Sequence, residues 1–291
     1  MAGFGALLST LVGGVLLGGV YALVALGLAV AWGASRVINL AHGALVVFGS
    51  YLAFSLYKAL GMHPVVALPV VALAGFALGY LLYYLVLYRV AENELVSLLA
   101  TFGLSLFLYA VMLAIWGPDP RTLLWAEGSA RLGPVFIPLS KLYASIAALA
   151  LIGFYHLILY RTSVGRAMRA MAQSFEVARV VGIEPRSVGS IAFGLGAAAA
   201  FAAGVVVTGY ASFTPDAGGT WLIIALAVVA MAGLRNLLAV LAGGVVLGAV
   251  SQLAGFTLGA MYQEIVPMVA LALFFVISPE GLFTRVRVRR V

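Results

Sequence analysis

One long apolar run follows another along this chain, and the charges between them are too few to cover a water-facing fold. The runs fall near 6–32, 38–57, 64–88, 95–116, 139–160, 188–210, 219–233, 237–257 and 263–278. A hydrocarbon core about 30 Å thick takes roughly 20 apolar residues of helix. Nothing in that core hydrogen-bonds to a bare backbone, so apolar spans of this length must be helical. Charged residues make up 9% of the 291 and hydrophobic ones 65%, where a soluble domain carries about 25% charge. The expected fold is an all-α integral membrane protein with about 8–9 transmembrane segments, one domain over 1–291. Two runs are short, and 219–233 reads as a broken or re-entrant helix. The first run, interrupted by paired glycines at 13–14 and 18–19, need not be a simple straight span. Eight crossings plus one irregular segment is therefore the alternative to nine. No basic segment precedes the first run, and it is too long for a signal peptide's apolar stretch, so it is expected to stay in the membrane.

The net charge of +7 fits the excess of Lys and Arg in cytoplasmic loops. No basic stripe with interleaved aromatics points to nucleic acid. With nine crossings and an outside N-terminus, the inner side holds Arg36, Arg89, Arg161, Arg166, Arg169, Arg179, Arg186, Arg235, Arg285, Arg287, Arg289 and Arg290. The outer side holds Lys58, Arg121, Arg131 and Lys141. That asymmetry puts the 161–187 loop and the C-terminus in the cytoplasm, as in a multi-pass protein of a bacterial plasma (inner) membrane. The outer loop, 117–138, reads as a turn-rich cap with a short interfacial helix at 123–126, and Trp116 and Trp125 suit the headgroup level.

Segment 161–187 is the polar exception, with 7 charged residues, five of them Arg. A helix over 163–181 is predicted, with Ser163 as N-cap and Gly182 as its stop. At about 100° per residue, Arg166, Arg169, Gln173 and Glu176 form a polar stripe opposite Met168, Met171, Phe175 and Ala178. Such a helix either lies on membrane lipid, arginines toward anionic headgroups, or fits a groove on a soluble partner.

Candidate chemistry within the spans is sparse. Asp216, Glu264, Glu280, Glu92 and Glu94 map to span ends or loops. With no carboxylate relay at the midplane, a proton- or sodium-driven pump is disfavoured. Neutral polar residues remain: Asn39 and His42, three apart and expected on one helix face; Thr101 and Ser105, four apart; and Gln252. They either satisfy neighbouring helices or line a substrate pathway or gate. No nucleophile elbow, phosphate loop or metal-ligand spacing occurs, so no catalytic or metal site is predicted. The chain has no cysteine. Glycines four apart, Gly14/Gly18, Gly75/Gly79, Gly244/Gly248 and Gly255/Gly259, suit close helix packing within one chain, or else a dimer seam or mobile gate.

The stretch from Glu176 through Ala178 to Gly182 resembles the EAA-x-x-x-G signature of ABC-importer permeases, with Val177 at the second Ala. The run GGVYALVALGLAVAWGASRVINLAHGALVVFGSYLA from Gly18 resembles the N-terminal signature of LivH-type branched-chain amino-acid permeases. LLATFGLSLFL, RTSVGRAMRAMAQSFEVARVVGI, MAGLRNLLAVLAGGVVLGAVSQL and ISPEGLFT are similar to later blocks of that family, the third lacking its usual double Gly around 233–236. The resemblance implies an importer of two permeases, this chain and a LivM-like paralogue, with two cytosolic ABC ATPases and an extracytoplasmic substrate-binding protein. It implies that the 166–182 helix couples to an ATPase groove through Arg166, Met168, Arg169, Met171, Phe175, Glu176, Ala178 and Gly182. ATP would be used by the partners, with no cofactor on this chain. Branched-chain amino acids are the implied substrate, with urea, amides or aromatic acids as alternatives. The competing readings are a stand-alone channel or facilitator, and a membrane scaffold.

Overall fold

The computed structural model describes residues 2–91, 93–233 and 236–277. Glu92, Arg235, Glu280, the closing ISPEGLFT motif from 278 onward and Arg285, Arg287, Arg289 and Arg290 lie outside the described residues. The helices are α1 (Ala2–Ser35), α2 (His42–Leu60), α3 (Pro64–Leu85), α4 (Glu94–Trp116), α5 (Leu139–Arg161), α6 (Ser163–Gln173), α7 (Phe175–Val180), α8 (Pro185–Val207), α9 (Gly218–Ala232), α10 (Leu237–Leu258) and α11 (Ala260–Ile277). Their starts follow local chemistry. Pro64 and Pro185 open α3 and α8, where a missing N–H is harmless. Asn93 and Asn236 cap α4 and α10 by accepting from Val96 N and Leu238 N. Among the described residues eight helical stretches are long and apolar enough to cross a membrane, and Ala260–Phe274 is a shorter apolar one. The all-α membrane expectation holds.

Helices α1 and α8 form the centre, each 89% buried over its most apolar window, whereas α4 is 17% buried and peripheral. The centre is built from small side chains. Helix α3 lies on α8 through Gly75 and Gly79, and α10 lies on α1 through Gly244 and Gly248. A Cβ on Gly244 would stand 2.7 Å from Ala22 N, and one on Gly79 would stand 2.9 Å from Phe193 O. In lipid no hydrophobic force drives helices together, so close backbone approach and dispersion supply the attraction. Three of the four predicted glycine pairs thus serve packing within the chain. In the fourth, Gly255 faces Gln263, and Gly259 (φ +119) turns the chain from α10 into α11.

The path reveals an order the sequence did not announce. Helix α1 starts beside the outer loop, where Ser9 Oγ accepts from Phe136 N at 3.0 Å, and ends beside α7, where Arg36 lies over Phe175. Helix α8 runs the other way, from just after α7 to Thr208 beside Trp125. After α1 the non-helical segment 36–41 re-enters the bundle to start α2. After α8 the segment 208–217 does the same for α9, and the first turns of α2 and α9 meet at Gly43 and Gly218. The set α8, α9, α10 therefore repeats α1, α2, α3 upside down, an inverted-topology repeat. Of the two readings of 219–233 the broken one fits: Pro215–Ala232 is long and apolar enough to cross and leads from the hairpin end to the α6 end, so it does not return to its own side. Helix α2 has the same character, and it starts at His42 rather than near 38.

The outer loop carries no helix at 123–126. It forms a two-stranded antiparallel hairpin, β1 (Ser129–Leu132) and β2 (Val135–Pro138), turned by Gly133 at φ +60. Trp125 is buried within the protein, donating from Nε1 to Thr208 Oγ1 at 3.0 Å, while Trp116 Nε1 donates to Ser55 Oγ at 2.9 Å. An indole N–H finds its partner inside the protein because the loop folds back over the ends of α5 and α8. Tyr210 sits there bonded to Ser145, and burial pushes its phenol up to about 12, so it stays neutral at physiological pH.

Adjacent glycines on α1 test this packing. A Cβ on Gly18 would fall 2.7 Å from Gly244 O, whereas one on Gly19 meets only Leu149 Cδ2 at 3.8 Å. Gly18→Ala should destabilise the chain by about 1–3 kcal/mol, and Gly19→Ala should be nearly neutral, as read by thermal unfolding in detergent.

Candidate functional site

The polar segment folds as two short helices instead of one. Thr162, not Ser163, caps α6: its Oγ1 accepts from Gly165 N at 3.0 Å. The predicted helix breaks at Ser174, which is extended (φ −155, ψ 112) and caps α7 by accepting from Val177 N at 3.3 Å. A serine side chain offers the backbone an alternative to helix continuation. Gly182, at φ +86, ends α7 as expected, and Ile183 N closes the turn onto Ala178 O at 3.0 Å. Gly165 lets α6 fold flat against the end of α5, since any Cβ there would overlap the carbonyls of Ile158 and Leu159.

The break rotates the pattern. Met168, Met171 and Ala178 are buried, and α6 packs on α1, α5 and α8. The apolar stripe is therefore consumed by this chain's own bundle, not by lipid or a partner. Arg166, Gln173 and Glu176 are exposed, as polar residues should be. Beside Glu176, however, Val177, Val180 and Val181 are 61%, 86% and 68% exposed. Sequence reasoning missed these valines, because a continuous wheel through 163–181 hides the phase change at Ser174. Phe175 is half-buried under the Arg36 guanidinium, 4.9 Å from its ring centre. Arg169 is half-buried and lies 4.8 Å over the Tyr160 ring.

The 36–42 segment links this element to the centre. Arg36 has φ 58, a left-handed conformation that a non-glycine residue adopts only at a cost of roughly 1–2 kcal/mol. Asn39 precedes the helix, so it does not share a helix face with His42 as expected; its Oδ1 accepts from Ala41 N at 3.0 Å, turning the chain into α2. His42 is fully buried, with Nε2 2.8 Å from Val24 O. A carbonyl can only accept, so Nε2 carries the proton and Nδ1 has no partner among the described residues. Thr101, also fully buried, accepts from Leu40 N at 3.2 Å, and its one proton lies between Ile38 O at 3.0 Å and Leu98 O at 3.1 Å. Ser105 is half-buried, one turn further along α4. Gln252 lies apart, in a groove at the hairpin end with Ser9, Lys141 and Tyr210. The five polar residues thus fall in two regions, and only Asn39, His42 and Thr101 cluster around one backbone segment.

Thr101 is the clasp of that segment. Thr101→Val keeps the shape but leaves the Leu40 N–H and Ile38 carbonyl without it, which should cost about 1–3 kcal/mol. Thr101→Ser should restore most of the loss, as read by thermal unfolding.

Among the described residues no group of three or more His, Cys, Asp or Glu could hold a metal ion. Asp216 and Glu264 are both exposed. What the chain offers is a membrane bundle with re-entrant segments at its centre and one polar helix pair at one end, the make-up of a multi-pass helical permease. The chain belongs to the family described as branched-chain amino acid transport system / permease component, whose model matches residues 10–278. It is 28% identical to the high-affinity branched-chain amino acid transport system permease protein BraD of Pseudomonas aeruginosa, over 98% of both chains. It is 28% identical to LivH of Escherichia coli K12, a permease protein of the same transport system, over 96% of both. It is also 27% identical to a probable branched-chain amino acid transport permease protein LivH of Methanocaldococcus jannaschii, over 93% of this chain and 90% of that one. No solved structure matches it.

Proposed function

We propose that this chain is the LivH-like transmembrane subunit of a binding-protein-dependent ABC importer for branched-chain or related amino acids. In this reading it pairs with a LivM-like permease, receives substrate from an extracytoplasmic binding protein, and is driven by two cytosolic ATPases. Family membership over 10–278 supports the class, and the relatives' names support the substrate. The charge distribution supports the orientation. Arg36, Arg89, Arg161, Arg166, Arg179 and Arg186 gather at the α6–α7 end, and Lys58, Arg121, Arg131 and Lys141 at the hairpin end. The α6–α7 end, and with it the C-terminus, is then cytoplasmic.

The observation that carries the coupling role is the exposed edge of α7, where Glu176 stands beside Val177 and Val180. An apolar ridge with a flanking charge fits a groove on a soluble partner. Arg166, Glu176 and the valines would meet the ATPase. Met168, Met171 and Ala178 would transmit its motion by fixing the element to α5 and α8, which Tyr155 joins through a 2.6 Å bond to Leu195 O. Gly182 would hold the turn. Asn39, His42 and Thr101 would then be moved with the re-entrant segment, through the Arg36–Phe175 contact.

Val180→Asp and Glu176→Arg alter only exposed side chains, so expression and thermal stability should match wild type. In proteoliposomes with the full set of partners, uptake and binding-protein-stimulated ATP hydrolysis should both fall at least tenfold. Normal coupling in both variants would remove α7 from the ATPase contact.

A further inference from the structure

We propose that a crevice between α1, α5, α6 and the start of α10 binds an anionic phospholipid, with Arg169 on its phosphate. The crevice has a volume of about 120 Å³. Leu26, Val30, Leu159 and Val240 form its wall, and Arg169 and Asn236 stand with them in its lining. Arg169 Nη1 is buried and has no hydrogen-bond partner among the described residues. Stacking on Tyr160 covers one face of the guanidinium but gives its N–H groups no acceptor. A buried cationic donor without an acceptor is destabilising, and an anion relieves that through charge-assisted bonds.

The walls indicate which anion. On α1 the lining runs from Ala34 back to Leu26, which at 1.5 Å per residue is about 12 Å of apolar helix face. A free phosphate makes no use of such a wall. A phospholipid uses both parts, its phosphate on Arg169 and the start of an acyl chain along Leu26 and Val30. Basic pockets between spans at a cytoplasmic boundary have this character. A carboxylate supplied from α7 is disfavoured, because Glu176 points to the exposed side. Arg169 is then the inward member of an arginine pair whose other member, Arg166, stays exposed. The lipid would stiffen the joint between α5 and α6, across which the proposed coupling passes, but its binding does not depend on that coupling.

The test uses the purified full-length chain and native mass spectrometry, with phosphatidylglycerol and phosphatidylcholine as probes. Wild type should retain phosphatidylglycerol at least tenfold better than phosphatidylcholine. Arg169→Gln should lose that preference while Arg166→Gln keeps most of it, and both should remain folded by thermal unfolding. Arg169→Lys should show an intermediate preference, since a point charge replaces the planar fork. Equal preference in wild type and Arg169→Gln would overturn the proposal. So would equal thermal stabilisation by inorganic phosphate, which would make the site a simple anion site. Loss of the lipid on assembly with the second permease would also overturn it, giving the crevice to a protein contact.

Discussion

Helices α1 and α8 lie against each other with almost nothing between their backbones. A Cβ on Gly27 would stand 2.7 Å from Gly196 O, and one on Gly196 would stand 2.6 Å from Gly27 O. Everything else is arranged around that contact. Helix α3 can reach α8, and α10 can reach α1, only because the same two helices present glycine and alanine outward as well. The re-entrant starts of α2 and α9 meet where no side chain larger than hydrogen fits at Gly43. In lipid such contacts replace the hydrophobic effect as the source of attraction between helices. They also make the centre stiff, since interiors without voids transmit displacement instead of absorbing it.

That stiffness gives the polar helix pair its meaning. It is fixed to the bundle by Met168, Met171 and the flat seat at Gly165, and it touches the re-entrant segment through Phe175 and Arg36. A force on the exposed edge of α7 has short, packed routes to α5, to α8 and to the start of α2. The joints on that route are closed, because Thr162 and Ser174 cap their helices and Gly182 closes the turn. The inverted repeat places the two re-entrant segments at the centre of that arrangement, where the first turns of α2 and α9 touch.

Much of this was legible in the residues. Apolar run lengths located the helices, and the glycine spacing anticipated tight packing. The wheel through 163–181 separated Arg166 and Glu176, which are exposed, from Met168 and Met171, which are buried, but it did not show that the chain's own bundle takes the apolar stripe or that Arg169 is half-buried. The misses have physical causes. A hydropathy run does not distinguish helix from apolar non-helical chain, so the run 38–57 includes residues 38–41, which precede the helix. A wheel assumes constant phase, and Ser174 breaks it, which hid Val177 and Val180. Residue type alone does not show that the indole of Trp125 is buried against Thr208, far away in sequence. The inverted repeat has only a faint signal, the matching spacing of Gly75/Gly79 and Gly244/Gly248. Contacts between distant segments, not local pattern, made it visible.

The chain contains no cysteine, so single cysteines can be introduced without background. The most direct measurement of the central claim is disulfide or short-linker cross-linking in the assembled transporter, from position 180 and from position 168 to cysteines placed in the ATPase groove. Val180→Cys should cross-link efficiently, and more strongly in one nucleotide state than another. Met168→Cys, buried against the bundle, should not. Cross-linking from position 168 with none from 180 would show that the inward face meets the ATPase and would contradict this account.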